Sequence, residues 1–191
     1  MKKKALIVIA RGFEETEAVI PIDVLRRSGV NVTVASVGSK TVTGAHNITI
    51  YCDKELNECE DDYDVVILPG GMPGAENLAG SMKLKSIISE TISRKKIIAA
   101  ICASPAIVLA PMGILDGKKA TCYTGMEKSF SSKISFVDED VVKDGNIITG
   151  KGPGTALSFA LKIAESLVGK DKSDMIAEQM IAEQFRETID K

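Results

Sequence analysis

The 191-residue chain has few of the residues that form metal centres and disulfide scaffolds, and no excess of the basic residues that form nucleic-acid interfaces. It has a single histidine, His46, and no tryptophan. Its four cysteines are Cys52, Cys59, Cys102 and Cys122, and no two have the short spacing of a zinc knuckle or a redox pair. With 24 basic and 26 acidic residues, it lacks the positive excess that attracts nucleic acid or an anionic membrane. We therefore expect free thiols in a reducing compartment, no metal and no specific nucleic-acid partner.

Long apolar runs are also absent. No stretch approaches the roughly 18 apolar residues of a membrane span. Three lysines at 2–4 and an apolar run at 5–10 resemble the start of a signal peptide. The run is too short, charged residues follow it at once, and no small-residue cleavage site is apparent. These absences favour a cytoplasmic protein that is not anchored in a membrane.

The composition is that of an ordinary folded protein, with 45% hydrophobic and 26% charged residues. A chain of this length fits one domain, predicted over residues 1–191, and can bury about 70% of its unfolded surface. Neither an internal repeat nor a low-complexity linker interrupts it.

Segments of strand and helix periodicity alternate along the chain. Short, mostly apolar runs predict buried parallel strands at 5–10, 63–68 and 96–101, and β-branched residues predict another at 30–37. Apolar residues at helical spacing predict helices over 14–28, around 84–92, over 155–168 and over about 174–185. An extended segment at 41–51 and a hairpin centred on Asp144 and Gly145 complete the pattern. The predicted fold is α/β, a mostly parallel sheet with helices on both faces and a C-terminal hairpin.

Ligands of such sheets bind where the carboxyl ends of the parallel strands meet. The predicted strand ends bring an acidic segment at 11–15, the glycines Gly70 and Gly71, and Cys102 to the same edge. The turn that contains Gly152 and Pro153 follows the last strand and joins them there. A carboxylate, a glycine-rich backbone and a thiol are thus expected in one crevice.

Cys102 directly follows a buried strand and precedes a short helix, with Ser104 suited to the cap and Pro105 to the first helical position. Free backbone amides at a helix start stabilise negative charge, so the pattern predicts a lowered pKa and a nucleophilic thiolate. The alternative is a structural role, because free cysteine is among the most buried residue types.

Glu15 is one of three acids at the start of the first predicted helix. Acids there interact favourably with the helix dipole whatever their function, so a purely structural role is one interpretation. The functional alternative is that Glu15 points into the crevice, stays protonated through burial and exchanges a proton with the thiol. Gly70 and Gly71 either form a tight turn or, with the amide of Ala103, present N–H groups to an oxyanion. His46 is far along the chain from the thiol, so no catalytic role is expected for it.

Several segments, in order, resemble the ThiJ/PfpI superfamily, and most closely the branch of the parkinsonism-associated deglycase and its bacterial relatives. They are GFEETE at 12–17, PIDVLRR at 21–27, LPGG at 68–71 with GAENL at 74–78, AAICASP at 99–105 and GPGT at 152–155. The resemblance implies a flavodoxin-like (Rossmann-like) three-layer sandwich of the class I glutamine amidotransferase-like type, usually a homodimer and without a cofactor. It also implies roles for individual positions: Cys102 as the reactive cysteine, Glu15 as its protonated partner, Gly71 and Ala103 as pocket amides, and Gly70, Gly152 and Pro153 as pocket lining.

The sequence departs from the family pattern at two positions. In the peptidase branch a histidine directly follows the cysteine, whereas this chain has Ala103 there. In the deglycase branch a histidine often stands near the cysteine, at the position of Tyr123. Since His46 is the only histidine, a Cys-His-acid triad is disfavoured, and cysteine peptidase activity with it.

The resemblance implies an enzyme of deglycase or glyoxalase type. Its substrates would be 2-oxoaldehydes such as methylglyoxal and glyoxal, or their early adducts with amines and thiols, and its product a 2-hydroxy acid. The alternative is an oxidative-stress sensor or chaperone that works through oxidation of Cys102 without turnover.

Overall fold

The computed structural model describes residues 2–60, 62–182 and 184. In chain order the strands are β1 (Lys4–Ile9), β2 (Asn31–Ser36), β3 (Thr41–Thr43), β4 (Thr49–Tyr51), β5 (Lys54–Glu55), β6 (Val65–Leu68), β7 (Ile97–Ile101), β8 (Lys119–Ala120), β9 (Ser135–Phe136), β10 (Val141–Asp144) and β11 (Ile147–Gly150). The α-helices are α1 (Glu15–Arg27), α2 (Gly74–Gly80), α3 (Met82–Ser93), α4 (Ala156–Val168) and α5 (Lys170–Gln179). Short 3-10 turns lie at Leu56–Glu58, Met126–Ser129 and Pro153–Thr155, and a π-helical turn lies at Pro105–Leu109.

A seven-stranded sheet in the order β10-β11-β7-β6-β1-β2-β5 forms the centre of the molecule. Neighbouring strands are parallel except for the β10–β11 hairpin, which is antiparallel. The apolar run of β1 explains its central position, because Leu6 and Val8 lie in the core on one face while Ile7 and Ile9 lie in the core on the other. A strand that is covered on both faces needs a continuous apolar run rather than an alternating one.

Helices cover both faces of this sheet. On one face α1 packs against α4, and α4 against α5. On the other face lie α3 and the π-helical turn. The predicted three-layer α/β sandwich with a C-terminal hairpin is confirmed. None of the described helices combines the length and the apolar character that crossing a membrane requires.

Several boundaries differ from the prediction. The last helix was expected over about 174–185, but α5 spans Lys170–Gln179, and Phe185 lies outside the described residues. Its first turn is polar and leaves no apolar periodicity to detect, although Ser173 is buried and its hydroxyl donates a hydrogen bond to the Leu161 carbonyl. Helix α2 was not predicted, since a seven-residue helix with two glycines has a weak helical pattern. The single domain over 1–191 stays a prediction.

Candidate active site

Cys102 lies directly after β7, at the sheet edge where the neighbouring parallel strands also end. Its backbone N–H donates to the Gly150 carbonyl at 2.9 Å, and its carbonyl accepts from the Tyr123 N–H at 2.9 Å. These bonds hold the residue at a φ of 63°, in the left-handed region. That conformation costs a residue with a β-carbon about 1 to 3 kcal/mol and is concentrated at functional sites. The thiol-bearing residue is 7% exposed, so it is nearly buried but not sealed.

The carboxyl group that faces Cys102 belongs to Glu17. Glu17 is fully buried, and its side chain is hydrogen-bonded to the Cys102 thiol. Its Oε2 accepts a hydrogen bond from the Gly70 N–H at 2.7 Å, and its Oε1 has no partner among the described residues. An acid with an unpartnered buried oxygen is better accommodated protonated than charged. Glu17 is not among the site residues predicted from the sequence.

The expectation that Glu15 is this partner is wrong. Oε2 of Glu15 lies 2.8 Å from Nδ1 of His46, and its Oε1 accepts a hydrogen bond from the His46 N–H at 2.7 Å. The carboxylate therefore holds the β3–β4 hairpin rather than the thiol. Burial acts to raise the pKa of Glu15, but the hydrogen bonds from His46 and the Ile48 amide lower it overall. Glu15 is thus stabilised as an anion, not kept protonated.

The Cys102 thiol and the Glu17 carboxyl shift each other's pKa. Burial raises the pKa of Glu17 to about 7, against the effects of the Gly70 amide and the hydrogen bond with Cys102. Burial, together with the charge of Glu17 and its hydrogen bond, raises the pKa of Cys102 to about 12. The lowered pKa expected for Cys102 is therefore wrong, because burial beside a carboxylate outweighs the single π-helical turn that follows. When the proton resides on Glu17, that negative charge is removed and the protonated carboxyl can donate to the sulfur.

Two backbone amides, those of Gly71 and Ala103, are hydrogen-bonded to the Cys102 sulfur and favour its charged form. Gly71 has a φ of 84°, and a β-carbon there would collide with the backbone of Gly12 and Glu14. A β-carbon on Gly70 would lie 2.7 Å from Cβ of Cys102. The loop therefore needs glycine at both positions to bring an amide to the sulfur. The catalytic and oxyanion roles of these residues stay predictions.

The turn at Gly152 and Pro153 begins two residues after Gly150, which binds the Cys102 backbone. Tyr123, whose N–H holds the Cys102 carbonyl, is half-exposed, and a β-carbon on Gly152 would lie 3.4 Å from its ring. An aromatic side chain thus stands beside the turn. The pocket-lining roles of Gly152 and Pro153 remain predictions.

One group of possible metal ligands is present in the described part of the chain. Ligand atoms of Glu14, Glu15 and His46 lie within 4.8 Å of one another. Both Glu15 oxygens already accept hydrogen bonds from His46, so a metal ion would have to displace the contacts that hold the hairpin. This group includes neither Cys102 nor Glu17.

Comparison with known proteins places this geometry in a family. Residues 3–166 match the DJ-1/PfpI family. The chain is 44% identical over 184 residues to protein dj-1beta of Drosophila melanogaster, covering 95% of this chain and 98% of that protein. It is 35% identical over 178 residues to the glutathione-independent glyoxalase DJR-1.2 of Caenorhabditis elegans, covering 92% of this chain and 94% of that one. The crystal structure of Drosophila melanogaster DJ-1beta matches with a TM-score of 0.91 at 42% identity, over 95% of this chain and 98% of that chain.

The fold and the site define a flavodoxin-like α/β protein with a buried thiol–carboxyl pair at the carboxyl edge of its sheet. The chain belongs to the DJ-1/PfpI family. The family resemblance expected from the sequence is thereby confirmed.

Proposed function

We propose that the protein is a cofactor-independent cysteine enzyme of deglycase or glyoxalase type. It converts 2-oxoaldehydes such as methylglyoxal and glyoxal, or their early glycation adducts, into 2-hydroxy acids. The observation that carries this proposal is the fully buried carboxyl of Glu17 hydrogen-bonded to the thiol of Cys102, whose backbone is held in the left-handed region. The relative named as a glutathione-independent glyoxalase supports the same chemistry.

The first step forms a bond between sulfur and carbon. With the proton on Glu17, the Cys102 thiolate adds to the aldehyde carbon of methylglyoxal. The oxygen that becomes negative accepts hydrogen bonds from the amides of Gly71 and Ala103 and takes the proton of Glu17. The product is a neutral hemithioacetal, and Glu17 is left as a carboxylate.

The second step moves hydrogen from the aldehyde carbon to the neighbouring carbon. The Glu17 carboxylate removes the C–H proton, which leaves an enediolate with its charge on the former ketone oxygen. The hydroxyl proton on the first carbon passes to that oxygen, and Glu17 returns its proton to the second carbon, which leaves a thioester of a 2-hydroxy acid and the Glu17 carboxylate. Water then cleaves the thioester, so methylglyoxal and one water become lactic acid and the Cys102 thiol is regenerated. No oxidant or reductant is consumed.

This chemistry does not need a histidine. A general acid and base works best when its pKa is near the operating pH, and burial raises the pKa of Glu17 to about 7. The same group can therefore deliver a proton in the first step and accept one in the second. The single histidine, His46, is exposed and is hydrogen-bonded to Glu15 instead.

The test is lactate formation from methylglyoxal by the purified protein in the absence of glutathione. We expect lactate from the native protein and none above background from Cys102→Ala or Glu17→Gln. Glu76→Gln, which removes an exposed acid at the start of α2, should retain native turnover and serves as the control. If native protein and Cys102→Ala form lactate at the same rate, the proposed enzyme function is wrong.

The sensor alternative uses the same groups without turnover. Peroxide can oxidise the Cys102 thiol to a sulfinate. The amides that face the sulfur, and a protonated Glu17, would stabilise that sulfinate. Absent lactate together with selective peroxide oxidation of Cys102, measured by mass spectrometry, would favour this function. Homodimer formation and a cytoplasmic location stay predictions.

A further inference from the structure

Glu14 begins helix α1 with a side-chain cap that reaches the active site. Its backbone is extended, with φ −83° and ψ 124°, as an N-cap residue requires. Its Oε2 accepts hydrogen bonds from the Glu17 N–H at 2.8 Å and from the Thr16 hydroxyl at 2.5 Å. Glu14 is only 8% exposed, so this carboxylate is nearly buried as well. The residue that caps the helix therefore binds the backbone of the residue that faces the thiol.

A cap alone does not require this side chain. Serine, threonine, aspartate and asparagine are the preferred N-caps, and three of them carry no charge. Burying a carboxylate costs free energy that a neutral cap would avoid. What Glu14 provides beyond the hydrogen bond is a fixed negative charge within one helical turn of Glu17.

The surroundings of Glu17 make that charge effective. Within the described residues the Glu17 carboxyl has no lysine or arginine partner, and its one polar contact apart from the thiol is the Gly70 amide. Two titratable groups act on its carboxyl: Cys102 from the end of β7 and Glu14 from its own helix. Because like charges disfavour each other at short range, Glu14 opposes ionisation of Glu17.

We propose that Glu14 is a positioning residue for the reaction. It fixes the first turn of α1 so that Glu17 reaches Cys102, and its charge favours the protonated form of Glu17. The inference rests on the proposed function for its catalytic consequence. Two forms of the pair carry a single proton, one with a protonated carboxyl and a thiolate, the other with a carboxylate and a thiol. Only the first is ready to attack an aldehyde, and the charge of Glu14 favours it.

The test separates charge from capping. Glu14→Gln keeps the chain length and an acceptor oxygen but removes the charge, and Glu14→Asp and Glu14→Asn form a second pair of good caps that differ in charge alone. The titration of Glu17 is followed by 13C NMR of its side-chain carboxyl. We expect a midpoint near 7 in the native protein and a lower midpoint in Glu14→Gln and Glu14→Asn. Glu14→Asp should stay close to the native midpoint, and Glu76→Gln is the control for loss of a distant charge.

Alkylation of Cys102 by iodoacetamide gives a second readout that needs no turnover. At pH 7 the neutral variants should react about two- to sixfold more slowly, because a fall of about half to one unit from a pKa near 7 lowers the protonated fraction of Glu17 by that factor. The kcat for methylglyoxal should fall in parallel while KM changes little, because Glu14 does not contact the substrate.

The outcomes distinguish this inference from the proposed function. If the neutral variants are less stable but retain the native Glu17 midpoint and alkylation rate, Glu14 is a helix cap only and the inference is wrong. If the midpoint shifts as expected while the native protein forms no lactate, the electrostatic role of Glu14 stands and the glyoxalase proposal fails. If lactate forms normally in Glu14→Asn, the charge is not needed and the inference is likewise overturned.

Discussion

Replacing Glu17 with glutamine should change how the stability of the protein depends on pH. Burial raises the pKa of Glu17 from 4.5 to about 7, so between these values the folded protein holds a proton that the unfolded chain has released. By linkage, the free energy of unfolding then falls as pH rises through this range. The stability is fully present below the unfolded pKa and is lost as pH passes the folded one. The rise in pKa corresponds to a loss of about 3 kcal/mol.

Glutamine is the appropriate replacement because it keeps the shape of the side chain. Its amide oxygen can accept the hydrogen bond from the Gly70 N–H, and its amide N–H can donate to the Cys102 sulfur. The variant removes only the titrating proton. We expect it to be more stable than the native protein at about pH 8, with the advantage disappearing near pH 4.5.

Urea unfolding followed by far-UV circular dichroism measures this difference. Curves are collected at several pH values between about 4.5 and about 8, and the slope m should be the same in both proteins. Other groups with shifted pKa values, including Glu15 and His46, are common to both and cancel in the difference. If the native protein and Glu17→Gln show parallel pH dependences, Glu17 ionises as an exposed acid does, and the account of the site is refuted.

Two further substitutions test the surroundings of this pair. Gly70→Ala places a β-carbon 2.7 Å from Cβ of Cys102. Lactate formation should therefore fall at least about tenfold, and the free energy of unfolding by about 1 to 3 kcal/mol. The control is Gly80→Ala, whose β-carbon would meet nothing within 4 Å and should leave activity unchanged. Equal activities in the two variants would contradict the close approach at residue 70. Glu15→Gln should destabilise the protein at neutral pH, because the hydrogen bonds from His46 lower the pKa of Glu15 despite its burial, and this deficit should shrink as pH falls below 4.5. A deficit in urea unfolding that is independent of pH would show that the anion does not hold the hairpin.

Much of the fold could be predicted from local sequence signals. The continuous apolar run at 5–10 predicted a doubly covered strand, and Asp144 with Gly145 predicted the hairpin that joins β10 and β11. The polar start of α5 carried no comparable signal, since its helical state depends on packing against α4 and not on periodicity.

The position of the thiol could also be predicted, but its carboxyl partner could not. Cys102 follows from topology, because every parallel strand ends at the same edge. The choice between Glu15 and Glu17 depends on where the helix begins, since side chains two residues apart on a helix point about 200° apart. Glutamate is not a usual N-cap, so the sequence does not indicate that α1 begins after Glu14. The raised pKa of Cys102 was missed because it results from burial and from Glu17, which are properties of the tertiary structure.

The backbone conformation of Cys102 has a consequence for how this chain changes over generations. Glycine adopts a φ of 63° without steric penalty, so a chain selected for stability alone would tend to replace the cysteine. The cysteine is then retained although glycine would be less strained at this position, and selection for the reactivity of the thiol is what retains it. In a duplicated copy released from the reaction, we expect residue 102 to be among the first to change. Its identity would then report whether the chemistry is still under selection.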